Sequence, residues 1–101
     1  YQSVLIGCDG VISVIAGCIP KEFSDIINLS IEKNEFECKL KFKIIKPLID
    51  FLFEEGNPSG IKAALSYLSL CENNLRLPLI PVSNQLQNKI QNSISTINKD
   101  Y

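Results

Sequence analysis

The sequence predicts an α/β fold in which this chain carries one strand and then mainly helices. Three observations lead there. One apolar, β-branched run, Val11-Ile12-Ser13-Val14-Ile15, follows the turn-forming Gly7-Cys8-Asp9-Gly10, as does a strand buried on both faces of a parallel sheet. Four later segments repeat apolar residues at helical spacing. No second run can pair with the first, so its ladder partners are expected outside these residues.

The elements follow in order. Residues 1 to 9 are short and mixed. After the strand, Ala16 to Ile19 form a loop, and Pro20 opens a helix at the position where its missing N–H costs nothing. Phe23, Ile26, Ile27 and Ile31 form its apolar stripe, and Asn34 is expected to end it in a left-handed cap. A second helix spans Glu35 to about Phe53, with the stripe Phe36, Leu40, Ile44, Leu48 and Phe51. Pro47 lies inside it and is expected to kink or break it near Lys46. Asn57 is expected to cap a third helix with Pro58 at its first position and Ile61, Ala64, Leu65 and Leu68 along one face. Asn73-Asn74, Pro78 and Pro81 exclude helix from the next stretch. Its Leu75, Leu77, Leu79 and Ile80 suggest an extended connector lying against a core. Ser83 then caps a last helix whose Leu86, Ile90, Ile94 and Ile97 face inward. Residues 1–34 thus read as a βα unit and 35–101 as a helical domain.

Composition narrows the function. Of 101 residues, 46% are apolar and 21% charged, with a net charge of −1, which fits a folding chain and not a disordered one. Nothing is basic enough to suggest a nucleic-acid partner. No apolar run is long enough for a membrane span and no signal peptide is visible, so a cytoplasmic location is expected. Histidine is absent and the four cysteines are widely spaced. A zinc site is therefore not expected, and Cys8, Cys18, Cys38 and Cys71 read as buried free thiols. The chain begins at Tyr1 and contains no methionine; a piece of a longer product is the expectation.

Candidates for catalysis are few. There is no Ser-His or Cys-His pair and no phosphate loop. The acids fall mostly on helix surfaces or ends, and Lys39, Lys41, Lys43 and Lys46 read as solvated charge too closely alternating to share one face. One place stands apart. In parallel α/β folds function gathers at the C-terminal ends of strands, here the loop Ala16-Gly17-Cys18-Ile19.

At this point a resemblance enters. Gly7-Cys8-Asp9-Gly10-Val11-Ile12-Ser13-Val14 resembles the last barrel strand of the dihydrodipicolinate synthase family, and Ile19-Pro20-Lys21 the start of the helix after it. Pro47-Leu48, Leu52-Phe53, Glu55-Gly56-Asn57-Pro58 and Gly60-Ile61-Lys62-Ala63-Ala64-Leu65 resemble that family's C-terminal helical extension. Leu75-Arg76-Leu77-Pro78-Leu79-Ile80-Pro81-Val82-Ser83 resembles its L-R-L-P-L-x-P-x-S segment. The barrel-strand block is shared with related pyruvate lyases; the last two blocks favour the synthase over N-acetylneuraminate lyase.

The resemblance implies the last strand and helix of a (β/α)8 TIM barrel followed by a C-terminal helical domain, in a homotetramer. It implies a class I aldolase-type lyase without a cofactor or metal. Pyruvate, held as a Schiff base on a barrel lysine, would condense with L-aspartate 4-semialdehyde to 4-hydroxy-tetrahydrodipicolinate, toward lysine and diaminopimelate. That lysine and a proton-relay tyrosine fall upstream of Tyr1, so no catalytic residue is expected in this chain. Only Ile12 maps onto a substrate-binding position, one that contacts pyruvate. Ile15 and Gly17 stand where many members have Thr and Asn, which removes polar atoms near the site. The alternatives are a sister pyruvate lyase or a small helical interaction module without catalysis.

Overall fold

The last helix sets the architecture. The computed structural model describes residues 1–101. Ser83 accepts a hydrogen bond from the Leu86 N–H at 3.2 Å and starts α5, Asn84–Asp100. Leu86, Ile90, Ile94 and Ile97 then recur every three or four residues, and all four are fully buried. The expected cap and inward face of this helix both hold.

Against that face lies α3, Glu35–Glu54, the longest element. Its buried residues are Cys38, Ile45, Leu48 and Leu52; of the stripe expected from the sequence, Leu48 is buried and Ile44 and Phe51 are half-buried against the core. Phe36 is 71% exposed and Leu40 is also exposed. Two apolar stripes compete on this helix, and packing selects the one facing both α5 and α2. Nor does Pro47 break it. Proline in a helix interior costs about 3 kcal/mol. Ile45, Leu48 and Leu52 on both sides of it each contribute roughly 1.5–3 kcal/mol by burial, enough to hold the helix continuous.

The remaining helices pack around this pair. α1 is a single turn, Gln2–Leu5, in the stretch the sequence left unassigned. α2, Pro20–Ile31, has Pro20 in its first turn as expected. Ile26 is buried but Ile31 is exposed, and the buried residue near the helix end is Ser30. The Ser30 hydroxyl donates to the Ile26 carbonyl at 2.7 Å and sits 3.2 Å from the Cys38 thiol on α3. The left-handed residue after α2 is Lys33 (φ 61°), not Asn34. Asn34 instead caps α3, its side chain accepting from the Glu37 N–H at 3.3 Å. α4, Ser59–Tyr67, begins one residue after Pro58, and no side chain caps it. Its approach to α3 is close: a Cβ at Gly60 would overlap the Leu52 backbone. Only glycine allows the two helices this separation.

Residues 1–34 and 35–101 share one core, in which Ile15, Ile19 and Ile26 join Ile45, Leu48, Ile90 and Ile94. The connector before α5 is not the extended segment expected: it turns at Leu77-Pro78, where the Leu79 N–H donates to the Arg76 carbonyl at 3.0 Å, and most of it does not lie against that core. Leu77 is 85% exposed, Leu79 and Ile80 are exposed too, and only Val82 is buried. It is pinned through its backbone instead: Ser59 Oγ donates to the Ile80 carbonyl at 2.8 Å. All four cysteines are free, but only Cys18 and Cys38 are buried; Cys71 is half-buried and Cys8 exposed.

Candidate functional site

The expected strand, Val11 to Ile15, does not form as a strand. Val14–Gly17 is a 3-10 turn, whose Ile15 enters the core. Ahead of it Ser13 is extended (φ −137°, ψ 138°). The N–H and C=O groups of Gly10, Val11 and Ile12 have no backbone partner. The reason is hydrogen bonding: a β-strand exists only as part of a ladder, and nothing else in these 101 residues is a strand that could pair with it. Ile12, the one residue assigned to substrate binding, is 107% exposed. The structure brings no other candidate residue to it.

The groups with displaced acidities lie elsewhere. Burial pushes the Cys18 thiol up to about 11, opposed weakly by hydrogen bonds from backbone N–H groups. A buried neutral thiol is a poor nucleophile, so Cys18, which also donates to the Ile15 carbonyl, closes the 3-10 turn. Burial, reinforced by Asp25 and Glu22, pushes the Tyr101 phenol up to about 12. Its hydroxyl donates to the Glu22 carbonyl at 2.7 Å, and the Lys41 ammonium lies 4.0 Å from its ring centre. No lysine in the chain is buried, the setting that would ready an amine for imine formation.

Sequence reasoning missed a polar junction at the end of α3. The Glu55 carboxylate accepts from the Ser83 N–H at 2.8 Å and from the Ser83 hydroxyl. The Ser83 hydroxyl and then its N–H hold this carboxyl below its usual range. Beside it Lys89 pairs with Glu54 at 2.7 Å. The Glu55 and Ser83 blocks were visible in the sequence; that they meet was not, because 28 residues separate them. The four lysines do not all share one face, Lys41 lying over Tyr101 instead, but three of them do. Lys39, Lys43 and Lys46 stand at i, i+4 and i+7, share one face of α3 and line the same groove.

An extended residue, Ser13, leads through the 3-10 turn into helices packed behind it. Residues 1–97 match the Dihydrodipicolinate synthetase family, and the chain belongs to that family. The 4-hydroxy-tetrahydrodipicolinate synthase of Flavobacterium psychrophilum is 41% identical over 87 residues, which cover 86% of this chain and 30% of that protein. The synthase of Karelsulcia muelleri is 45% identical over 89 residues, covering 86% and 29%. Among solved structures, a chloride-inhibited dihydrodipicolinate synthase from Acinetobacter baumannii, complexed with pyruvate, superposes with a TM-score of 0.90 at 34% identity. It covers 96% of this chain, and the chain covers 33% of it. A monomeric dihydrodipicolinate synthase variant superposes with a TM-score of 0.87 at 34% identity, over 91% of this chain and 31% of its own. The chain therefore spans about a third of the length of the relatives it matches. Its fold class is that of a mostly helical portion of a TIM-barrel lyase family. No helix is long and apolar enough to cross a membrane.

Proposed function

We propose that this chain forms the C-terminal portion of a 4-hydroxy-tetrahydrodipicolinate synthase. Residues 1–34 supply the last βα unit of its barrel and residues 35–101 its helical domain. The observation that carries this reading is the Gly10–Ile12 segment: apolar, exposed, and without backbone partners. Barrel strands on either side would satisfy those groups and bury those side chains. The family match over residues 1–97 supports it.

In the whole enzyme a lysine outside these residues forms an imine with pyruvate, releasing water. Loss of a methyl proton then makes an enamine, whose carbon attacks the aldehyde of L-aspartate 4-semialdehyde. A tyrosine, also outside these residues, relays protons. Ile12 contributes shape, since a hydrocarbon side chain can be neither acid, base nor nucleophile. The working form is a cytoplasmic homotetramer that needs no cofactor.

The test is imine trapping. Pyruvate and borohydride, followed by peptide mass spectrometry, should place one adduct on the complete protein, outside residues 1–101. The 101-residue chain alone should take none and show no synthase activity. A stoichiometric adduct on one lysine of this chain would overturn the reading.

A further inference from the structure

α3 and Tyr1 line an open groove on the surface. Tyr1 stacks on Phe42, ring centres 4.9 Å apart and tilted by 53°. Those two rings, with Pro47 and Phe51, line this groove of about 600 Å³, within the range of small-ligand sites. Lys39, Lys43 and Lys46 line it as well. Lys46 is already neutralised, its ammonium 2.6 Å from both oxygens of Asp50. Lys39 and Lys43 have no acidic partner. An aromatic lining therefore lies beside two uncompensated positive charges, in a chain whose net charge is −1.

Each half of that arrangement asks for something different. Phe42, Pro47 and Phe51 lose contact with water only under a flat apolar body. Lys39 and Lys43 are satisfied by an anion, and one carboxylate can reach both because they are one helical turn apart. A purely apolar ligand leaves the charges unmatched, and a small inorganic anion leaves the rings wet. From this complementarity we propose that the groove binds a small organic anion: an aromatic body bearing one carboxylate. Gly10, Val11 and Ile12 do not line it, so the inference stands apart from the proposed synthase activity.

The test uses naphthoate and its uncharged analogue naphthamide, titrated into the full chain and followed by amide NMR. Naphthoate should give saturable shifts confined to α3 around Lys39, Phe42, Lys43 and Phe51. Naphthamide should bind about fivefold more weakly, the size expected for two exposed charge contacts. The double variant Lys39→Gln/Lys43→Gln should lose that factor for naphthoate and nothing for naphthamide. Both lysines are exposed, so the variant should fold, and an unchanged amide spectrum checks this. Added salt should weaken naphthoate alone. Equal affinity for the two compounds, shifts outside the groove, or no saturable binding would each overturn the proposal.

Discussion

α5 and the Gly10–Ile12 segment both carry Ile together with Leu or Val, yet α5 buries its apolar residues completely while Val11 and Ile12 stay exposed. Along α5 every third or fourth residue is apolar, and Leu86, Ile90, Ile94 and Ile97 all reach the core. Its backbone is satisfied within the helix itself. The Gly10–Ile12 backbone finds no partner, and Ile12 has none of its side chain covered. A helix carries its hydrogen bonds with it; a strand borrows them from its neighbours. The fate of an apolar run therefore depends on whether its partners lie within the same 101 residues.

The largest expected effect tests the buried side. Ile94→Ala removes a fully buried side chain and should cost about 2–5 kcal/mol of unfolding free energy, measured by urea denaturation. A cost under about 1 kcal/mol, the level of an exposed site, would mean that α5 is not the core of the chain.

Next comes the seam between α3 and α4. Gly60→Ala forces a methyl group into the Leu52 backbone, and backbone cannot rotate away as a side chain can. The two helices must separate, at a cost of about 1–3 kcal/mol. Alanine normally stabilises a helix relative to glycine, so the sign decides the matter. A more stable Gly60→Ala variant would show that the helices do not approach so closely.

The Ser83 junction joins the exposed connector to α5. Ser83→Ala removes the helix cap and both the cap's and Glu55's hydroxyl bonds; the expected loss is about 1 kcal/mol. Its pH signature follows from Glu55. A carboxyl held below its unfolded value stabilises the fold above that value, near 4.3, and loses the contribution as pH falls through the lower folded value. The urea midpoint should lose Glu55's contribution only below about pH 4.3. Glu55→Gln should lack that component; the same acid dependence in both proteins would remove Glu55 from the account.

What the sequence revealed follows the same division. α5 was legible down to its cap, because Ser83 and the four apolar residues act locally. α3 was legible as a helix but not as to its buried face: Phe36 and Leu40 continue one stripe, while Cys38 and Ile45 are chosen by α2 and α5, which the stripe cannot reveal. Helical spacing alone could have grouped Lys39, Lys43 and Lys46. The Glu55–Ser83 contact could not be read from either block, since nothing in a local pattern brings a helix end back to a connector. Ile12 emerged only through a resemblance, and its surroundings here are open solvent.

The smallest effect is the sharpest test of the comparison. Ile12→Ala in the 101-residue chain removes a side chain that touches nothing, so stability should move by less than about 0.5 kcal/mol. Amides of Gly10 to Ile12 should exchange rapidly, while those of α5 are protected. The same substitution in the complete enzyme should behave otherwise if the proposed barrel context holds. Ile12 would then be packed between neighbouring strands beside pyruvate, and a small displacement of a reacting group lowers turnover. Pyruvate kcat/KM should fall while borohydride still traps the imine, and stability should fall by about 2–5 kcal/mol. Assays well below the unfolding temperature separate the two losses. Wild-type kinetics from a folded Ile12→Ala enzyme would make Ile12 a packing residue only. A large stability loss in the short chain would mean that the segment has found partners there, most simply the edge of a second copy; size-exclusion chromatography tells that case from a monomer.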